Sequence, residues 1–150
     1  MAFAKSCADE RKAWLADHDA SASLDATITS VTYKEWTDKE LRPFSVYDCE
    51  RSVPGVDGLK PSQRKVLYAA RKRNMTGEVK VAQFAGYVSE HSAYHHGEAS
   101  LNKTIVGMAQ EFPGSNNIAI LQPSGQFGTR LEGGKDSASE RYIYTLMAPI

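Results

Sequence analysis

Two cysteines, Cys7 and Cys49, in 150 residues are too few for a disulfide scaffold, and their separation fits no zinc-ligand spacing. Such scarcity points to a reducing compartment. No apolar stretch approaches the roughly 20 residues that a membrane-spanning helix needs. Nor do the residues after Met1 form a signal peptide, so no membrane partner is expected. Repeats and low-complexity tracts are also absent. The chain has no net charge, with 18 basic and 18 acidic side chains, which by itself argues weakly against a nucleic-acid partner. What is present is a globular balance of 41% hydrophobic and 24% charged residues, enough for one domain with a core of its own.

The zero total hides a pattern. Residues 1–50 carry six basic and ten acidic side chains, net −4, and residues 83–150 carry four and six, net −2. Between them, residues 51–82 hold Arg51, Lys60, Arg64, Lys65, Arg71, Lys72, Arg73 and Lys80 against Asp57 and Glu78, net +6. A basic segment between acidic flanks is the footprint of a phosphate-binding face, although an ordinary solvated helix face gives the same count.

Along the chain, "ADERKAWLADHD" has helical spacing and "ASASLDATITS" reads as a loop or linker. The domain boundary is therefore expected near residue 30, with an N-terminal helix and linker over 1–30 and the main domain over 31–150. Thr32 and Glu35 have the spacing of a capping box, and Pro43 is expected to break the helix that follows. Gly55, Gly58 and Pro61 mark a turn, after which Ser62 is expected to cap a helix that buries Val66, Leu67, Ala69 and Ala70. "GEVKVAQF" reads as a short strand. "AQFAGYVSEHSAYHH" and "GEASLNKTIVGMAQEF" read as two helices meeting at Gly97. After Pro113 the chain becomes glycine-rich, with β runs expected at 118–122 and 141–147. Helices in tandem followed by a glycine-punctuated hairpin predict an α+β fold, a winged helix-turn-helix domain with a glycine-rich β wing.

Four stretches, "ERSVPGVDGLKPSQRKVL", "EVKVAQFAGYVSEHSAYHHGEASL", "GSNNIAILQPSGQFGTR" and "GGKDSASERYIYT", together resemble the DNA-gate region of eukaryotic-type DNA topoisomerase II, in order and spacing. The resemblance extends into "MAFAKSCADERKAWL" and covers nearly all of the chain. It implies cutting and resealing of double-stranded DNA through a transient bond between a tyrosine and the 5′ end of the broken strand. By match to the motif that tyrosine is Tyr142. Packing on a strand is the plain alternative for such a residue, and Tyr144, on the same face of an extended run, is its rival. A phenol with an ordinary pKa of about 10 is a poor nucleophile at neutral pH and needs positive charge nearby.

The resemblance also implies that Arg141 contacts the scissile phosphate and that Arg51 and His96 lie near the cleaved strand. It puts Lys60, Arg64 and Lys65 on the DNA backbone, with Gln126 and Thr129 as phosphate donors from the wing loop. No metal site is expected here: His95 and His96 are adjacent, and only Glu98 stands at ligand spacing. Mg²⁺ and ATP are implied for the enzyme, held by a Toprim domain and an ATPase domain outside these residues, and the active form is implied to be a homodimer. A nuclear location follows, with virus-encoded or organellar homes as alternatives. Two departures from the family pattern stand out: Glu140 replaces a small residue or proline before the arginine, and the turn "VPGVDG" is one residue shorter. The eight residues after Tyr142 end before the family's tower and exit gate, so a fragment of the enzyme is expected. A winged-helix DNA-binding protein without catalytic activity, or an interaction module for an acidic protein, are the competing readings.

Overall fold

The computed structural model describes residues 1–149. The chain divides into two compact units, Met1–Gly58 and Leu59–Ile150.

The first unit is helical and has no buried residue in any of its helices. Helix α1 (Ala8–Ala16) is tied by polar contacts: the Trp14 indole N–H donates to Asp38 at 3.0 Å, and Arg42 donates to the Trp14 carbonyl at 3.1 Å. Helix α2 (Tyr33–Trp36) opens with the expected capping box, in which the Glu35 N–H donates to the Thr32 hydroxyl and the Thr32 N–H to the Glu35 carboxylate, both at 3.2 Å. The chain then passes through a π-helical turn, Thr37–Leu41, into α3 (Arg42–Ser52). Pro43 does not break the helix. It sits in the first turn of α3, just after the widened turn in which the Arg42 N–H reaches back to the Thr37 carbonyl, where a missing amide proton is tolerated.

The second unit holds the core. Helix α4 (Pro61–Lys72) begins two residues earlier than expected: Lys60 rather than Ser62 is its N-cap, Pro61 its first residue, and the Lys60 N–H donates to the Gln63 side chain at 2.9 Å. Proline suits that position because its N–H would have no helical partner there. Val66, Ala69 and Ala70 are buried, at i, i+3, i+4. Strand β1 (Val79–Lys80) is two residues long and leads directly into α5 (Val81–Ser92), which buries Val81, Phe84, Ala85 and Val88. Helix α5 stops at Ala93, in the left-handed region with φ of 48°, short of His95 and His96, which the sequence pattern puts on it. Its end is held by Lys65, whose Nζ donates to the Ala93 carbonyl at 2.8 Å. Helix α6 (Glu98–Ala109) starts after Gly97 and contributes Leu101, Ile105, Val106, Met108 and Ala109 to the core.

Strands β2 (Leu121–Ser124) and β3 (Tyr144–Met147) complete an antiparallel sheet in the order β1-β3-β2. Tyr144 lies opposite Lys80 on one side and Ser124 on the other. The architecture is therefore mixed helix and small antiparallel sheet, with Phe84, Leu101, Ile105, Leu121 and Ile143 fully buried at its centre.

Between β2 and β3 the glycine-rich loop has a single shape for steric reasons. Gly128 and Gly134 both have positive φ, and a Cβ on Gly128 would stand 2.6 Å from the Gly134 Cα. The Gln110 amide donates to the carbonyls of Phe127 and Gly134, at 2.8 and 3.2 Å, tying the loop to the end of α6. Asp136 closes it by accepting from the Thr129 N–H and hydroxyl, both at 2.8 Å. Those bonds, the backbone one first, hold the Asp136 carboxyl below the ordinary carboxylate value.

Stability and titration both test this packing. Phe84→Ala lowers the unfolding free energy by about 3–5 kcal/mol, while Phe44→Ala, at a site 65% exposed, changes it by less than about 0.5 kcal/mol; denaturant titration of each variant measures both. The folded-state pKa of Asp136 is depressed, so its contribution is complete above the ordinary carboxylate value and is lost as pH falls through the lower folded value. NMR titration of its carboxyl carbon should show a midpoint below the ordinary value. In Thr129→Val, which keeps the backbone donor, the midpoint should rise only part of the way back.

Candidate functional site

The Arg141–Tyr142 pair is not on a strand. Strand β3 begins at Tyr144, and residues 139–142 form a turn closed by the Tyr142 N–H donating to the Ser139 carbonyl at 2.9 Å. Both side chains are exposed, Tyr142 at 75%. The physical reason lies on either side of the pair. The Val81 and Ala82 N–H groups, in the first turn of α5, donate to the carbonyls of Ile143 and Glu140 at 3.0 and 3.2 Å. These bonds pull the flanking backbone onto the helix before β3 starts, so a β run from residue 141 is replaced by a protruding turn. Ile143 is buried between the two exposed tyrosines, 1% accessible.

Tyr142 and Tyr144 are therefore distinguished by geometry. Tyr144 sits in the central strand, is 38% exposed, and has the Lys80 ammonium 5.6 Å from its ring centre. Tyr142 projects from the turn, exposed to solvent. A cleft of about 560 Å³ between α6 and residues 133–140 is lined by Lys103, Lys135 and Glu140 but not by Tyr142.

The basic residues sort by what already engages them. Arg64 and Arg71, seven residues apart, lie on one side of α4 and are exposed. Lys60 is exposed at its N-terminus. Arg64 donates to the Leu59 carbonyl at 3.4 Å. Lys65 is committed to the end of α5 and lies 5.9 Å from the Tyr94 ring. Lys72 and Arg73 lie over the rings of Tyr68 and Tyr87. The +6 segment is thus not one uniform stripe.

His96 is exposed, in the link between α5 and α6, with its ring edge-on to Tyr94 at 5.4 Å. Gln126 is exposed in the glycine loop, its side-chain oxygen accepting from the Gly128 N–H. Thr129 is exposed, but both its donors are spent on Asp136. Arg51 lies at the end of α3, exposed, in the other unit. Among the described residues no group of three or more His, Cys, Asp or Glu side chains converges to hold a metal, and no helix is long and apolar enough to cross a membrane. Sequence reasoning missed Gln110 and Asp136. Only the clustering of glycines hinted that backbone there makes close approaches.

Comparison with known proteins supplies the relationship. Residues 51–150 match the family of the DNA gyrase/topoisomerase IV A subunit, and residues 1–49 match the C-terminal associated domain of TOPRIM. The chain is 59% identical over 152 residues to a probable DNA topoisomerase 2 of Dictyostelium discoideum, covering 100% of this chain and 10% of that protein. It is 55% identical to the DNA topoisomerase 2 of Saccharomyces cerevisiae, covering 97% and 10%. A mitochondrial DNA topoisomerase 2 of Dictyostelium discoideum is 53% identical, covering 100% and 12%. The crystal structure of the Plasmodium falciparum topoisomerase II DNA-binding, cleavage and re-ligation domain superposes with a TM-score of 0.71 at 53% identity, over 99% of this chain and 20% of that one. The chain thus spans about a tenth of the length of these curated relatives. With two thirds of its residues inside one family match and its whole length aligned to a topoisomerase 2 sequence, the chain belongs to the DNA gyrase/topoisomerase IV A-subunit family.

Proposed function

We propose that this chain is the DNA-cleavage segment of a type II DNA topoisomerase, and that Tyr142 is its nucleophile. One observation carries the reading: of the two tyrosines in "RYIYT", Tyr142 alone projects from a turn beside an exposed arginine, while Tyr144 lies in the central strand against Lys80. The Tyr142 phenol oxygen bonds to a backbone phosphorus of duplex DNA and the bond from that phosphorus to the 3′ oxygen breaks. The phenol gives up its proton, and the departing 3′ oxygen takes one. The phosphodiester count is unchanged, so the 3′ hydroxyl reverses the step without an energy source. Arg141 has the planar fork that suits charge spread over phosphate oxygens as they become pentacovalent.

In the same reading, α5, its turn and α6 form the helix-turn-helix, and residues 125–138 with β2 and β3 form the wing. Lys60 and Arg64 meet the DNA backbone, Gln126 approaches it from the wing, and Arg51 and His96 lie near the cleaved strand. Lys65 and Thr129 are weaker candidates, because the Lys65 ammonium is drawn to the end of α5 by one of its three N–H groups and both Thr129 donors are given to Asp136. Mg²⁺ and ATP belong to other parts of a longer polypeptide that acts as a homodimer on double-stranded DNA to change its topology. Its home is the nucleus or, as the name of one relative says of that protein, an organelle.

The test uses the complete polypeptide that carries this segment. Tyr142→Phe should abolish covalent DNA complexes trapped by denaturant while Tyr144→Phe keeps them. Arg141→Ala should lower trapping by about 10²-fold with duplex affinity nearly constant, since it acts on the transition state. Lys60→Ala and Arg64→Ala should each weaken duplex binding and flatten its dependence on log salt by about one unit. Trapping that persists in Tyr142→Phe contradicts the assignment, and binding that ignores salt contradicts the proposed DNA face.

A further inference from the structure

The first four N–H groups of any helix lack helical partners. In α5 two of these, on Val81 and Ala82, are taken by the carbonyls of Ile143 and Glu140, at 3.0 and 3.2 Å. Those carbonyls bracket Arg141 and Tyr142. A third bond, from the Tyr142 N–H to the Ser139 carbonyl at 2.9 Å, closes the turn between them. We propose that the first turn of α5 is a backbone clamp that positions the Tyr142 phenol for attack, with Val81, Gly125 and Ile143 as its positioning residues. The proposal rests on the reading of Tyr142 as nucleophile.

The three residues have separable parts. Val81 supplies the donor to the Ile143 carbonyl, and its side chain is fully buried. Ile143 drives a branched side chain into the core immediately after the reactive pair, so the pair cannot slide without withdrawing it. Gly125 makes the space: its φ is +116°, and a Cβ there would stand 2.9 Å from the Ile143 Cγ2. Any other residue at 125 would push on Ile143 and, through one peptide link, on Tyr142. Lys80 and Tyr144 pair across β1 and β3 immediately beyond the clamp, so the strand register and the clamp fix the same short stretch from both directions. The outcome is a pair whose backbone is held at three points while its side chains remain free. That combination suits a reaction in which a misplacement of about 1 Å costs about 10²-fold in rate. It also offers a reason for Glu140 to be harmless to the turn: its carbonyl, not its side chain, makes the anchoring bond.

Two measurements decide the matter. In the 150-residue chain, the Val81 and Ala82 amides should exchange with solvent as slowly as that of Ala85 inside α5, although first-turn amides ordinarily exchange fast. Fast exchange at both overturns the clamp. In the complete polypeptide, Val81→Pro deletes the donor at a first helical position that accepts proline; Lys80, at φ −58° and ψ 131°, already has the backbone favoured before proline. Val81→Ala trims the side chain and keeps the N–H, so it measures packing separately. The proline variant should form at least about tenfold less covalent complex than the alanine variant, at duplex affinity equal within about threefold. Equal trapping by the two variants overturns the proposal. Should the proline variant fail to fold, amide exchange in the unsubstituted chain decides alone. Absence of any Tyr142 complex in the unsubstituted polypeptide instead removes the nucleophile reading, and the positioning role falls with it.

Discussion

Everything that singles out the Arg141–Tyr142 turn depends on β3 being the middle strand of three. A middle strand must satisfy hydrogen bonds on both edges. β3 does so against β1 and β2, with Thr145, fully buried, adding a hydroxyl bond to the Gln122 carbonyl at 2.7 Å. The chain that enters such a strand cannot drift, and where β1 ends and α5 begins, the helix takes over as hydrogen-bond donor. The exchange of partners, from strand to helix amides, coincides with the Arg141–Tyr142 pair.

The two units follow different physical logic. Leu59 onward is organised by apolar burial around Phe84, Leu101, Ile105 and Ile143. Residues 1–58 bury no residue in their helices, and their links are polar: an indole to a carboxylate, a guanidinium to a carbonyl, a capping box. Phe3, Tyr33, Phe44, Val53 and Val56 are exposed.

Much of this was legible in the sequence, and the misses have specific causes. The 3.6-residue spacing of apolar side chains found the three helices that lie at 61–72, 81–92 and 98–109, although the second and third were expected to run on to 96 and 112, because burial and periodicity agree along their middles. The capping box at Thr32 was legible because it is local. Pro43 misled, since the π turn before it depends on how the preceding residues hydrogen-bond. Alternation in "RYIYT" read as a strand from residue 141. Two backbone bonds from a helix far earlier in the chain override that pattern, and main-chain donors leave no trace in residue type. The basic count in 51–82 was correct as arithmetic but did not reveal that Lys65, Lys72, Arg73 and Lys80 each face a ring or a carbonyl.

The central claim is that the fold presents one particular oxygen, the Tyr142 phenol, to DNA. Peptide mapping tests it most directly: covalent complexes formed by the complete polypeptide are trapped, the DNA is digested, and the residual nucleotide is located by fragmentation mass spectrometry. The account predicts the nucleotide on Tyr142, joined through its 5′ phosphate. A nucleotide on Tyr144, or on any other residue, would contradict it.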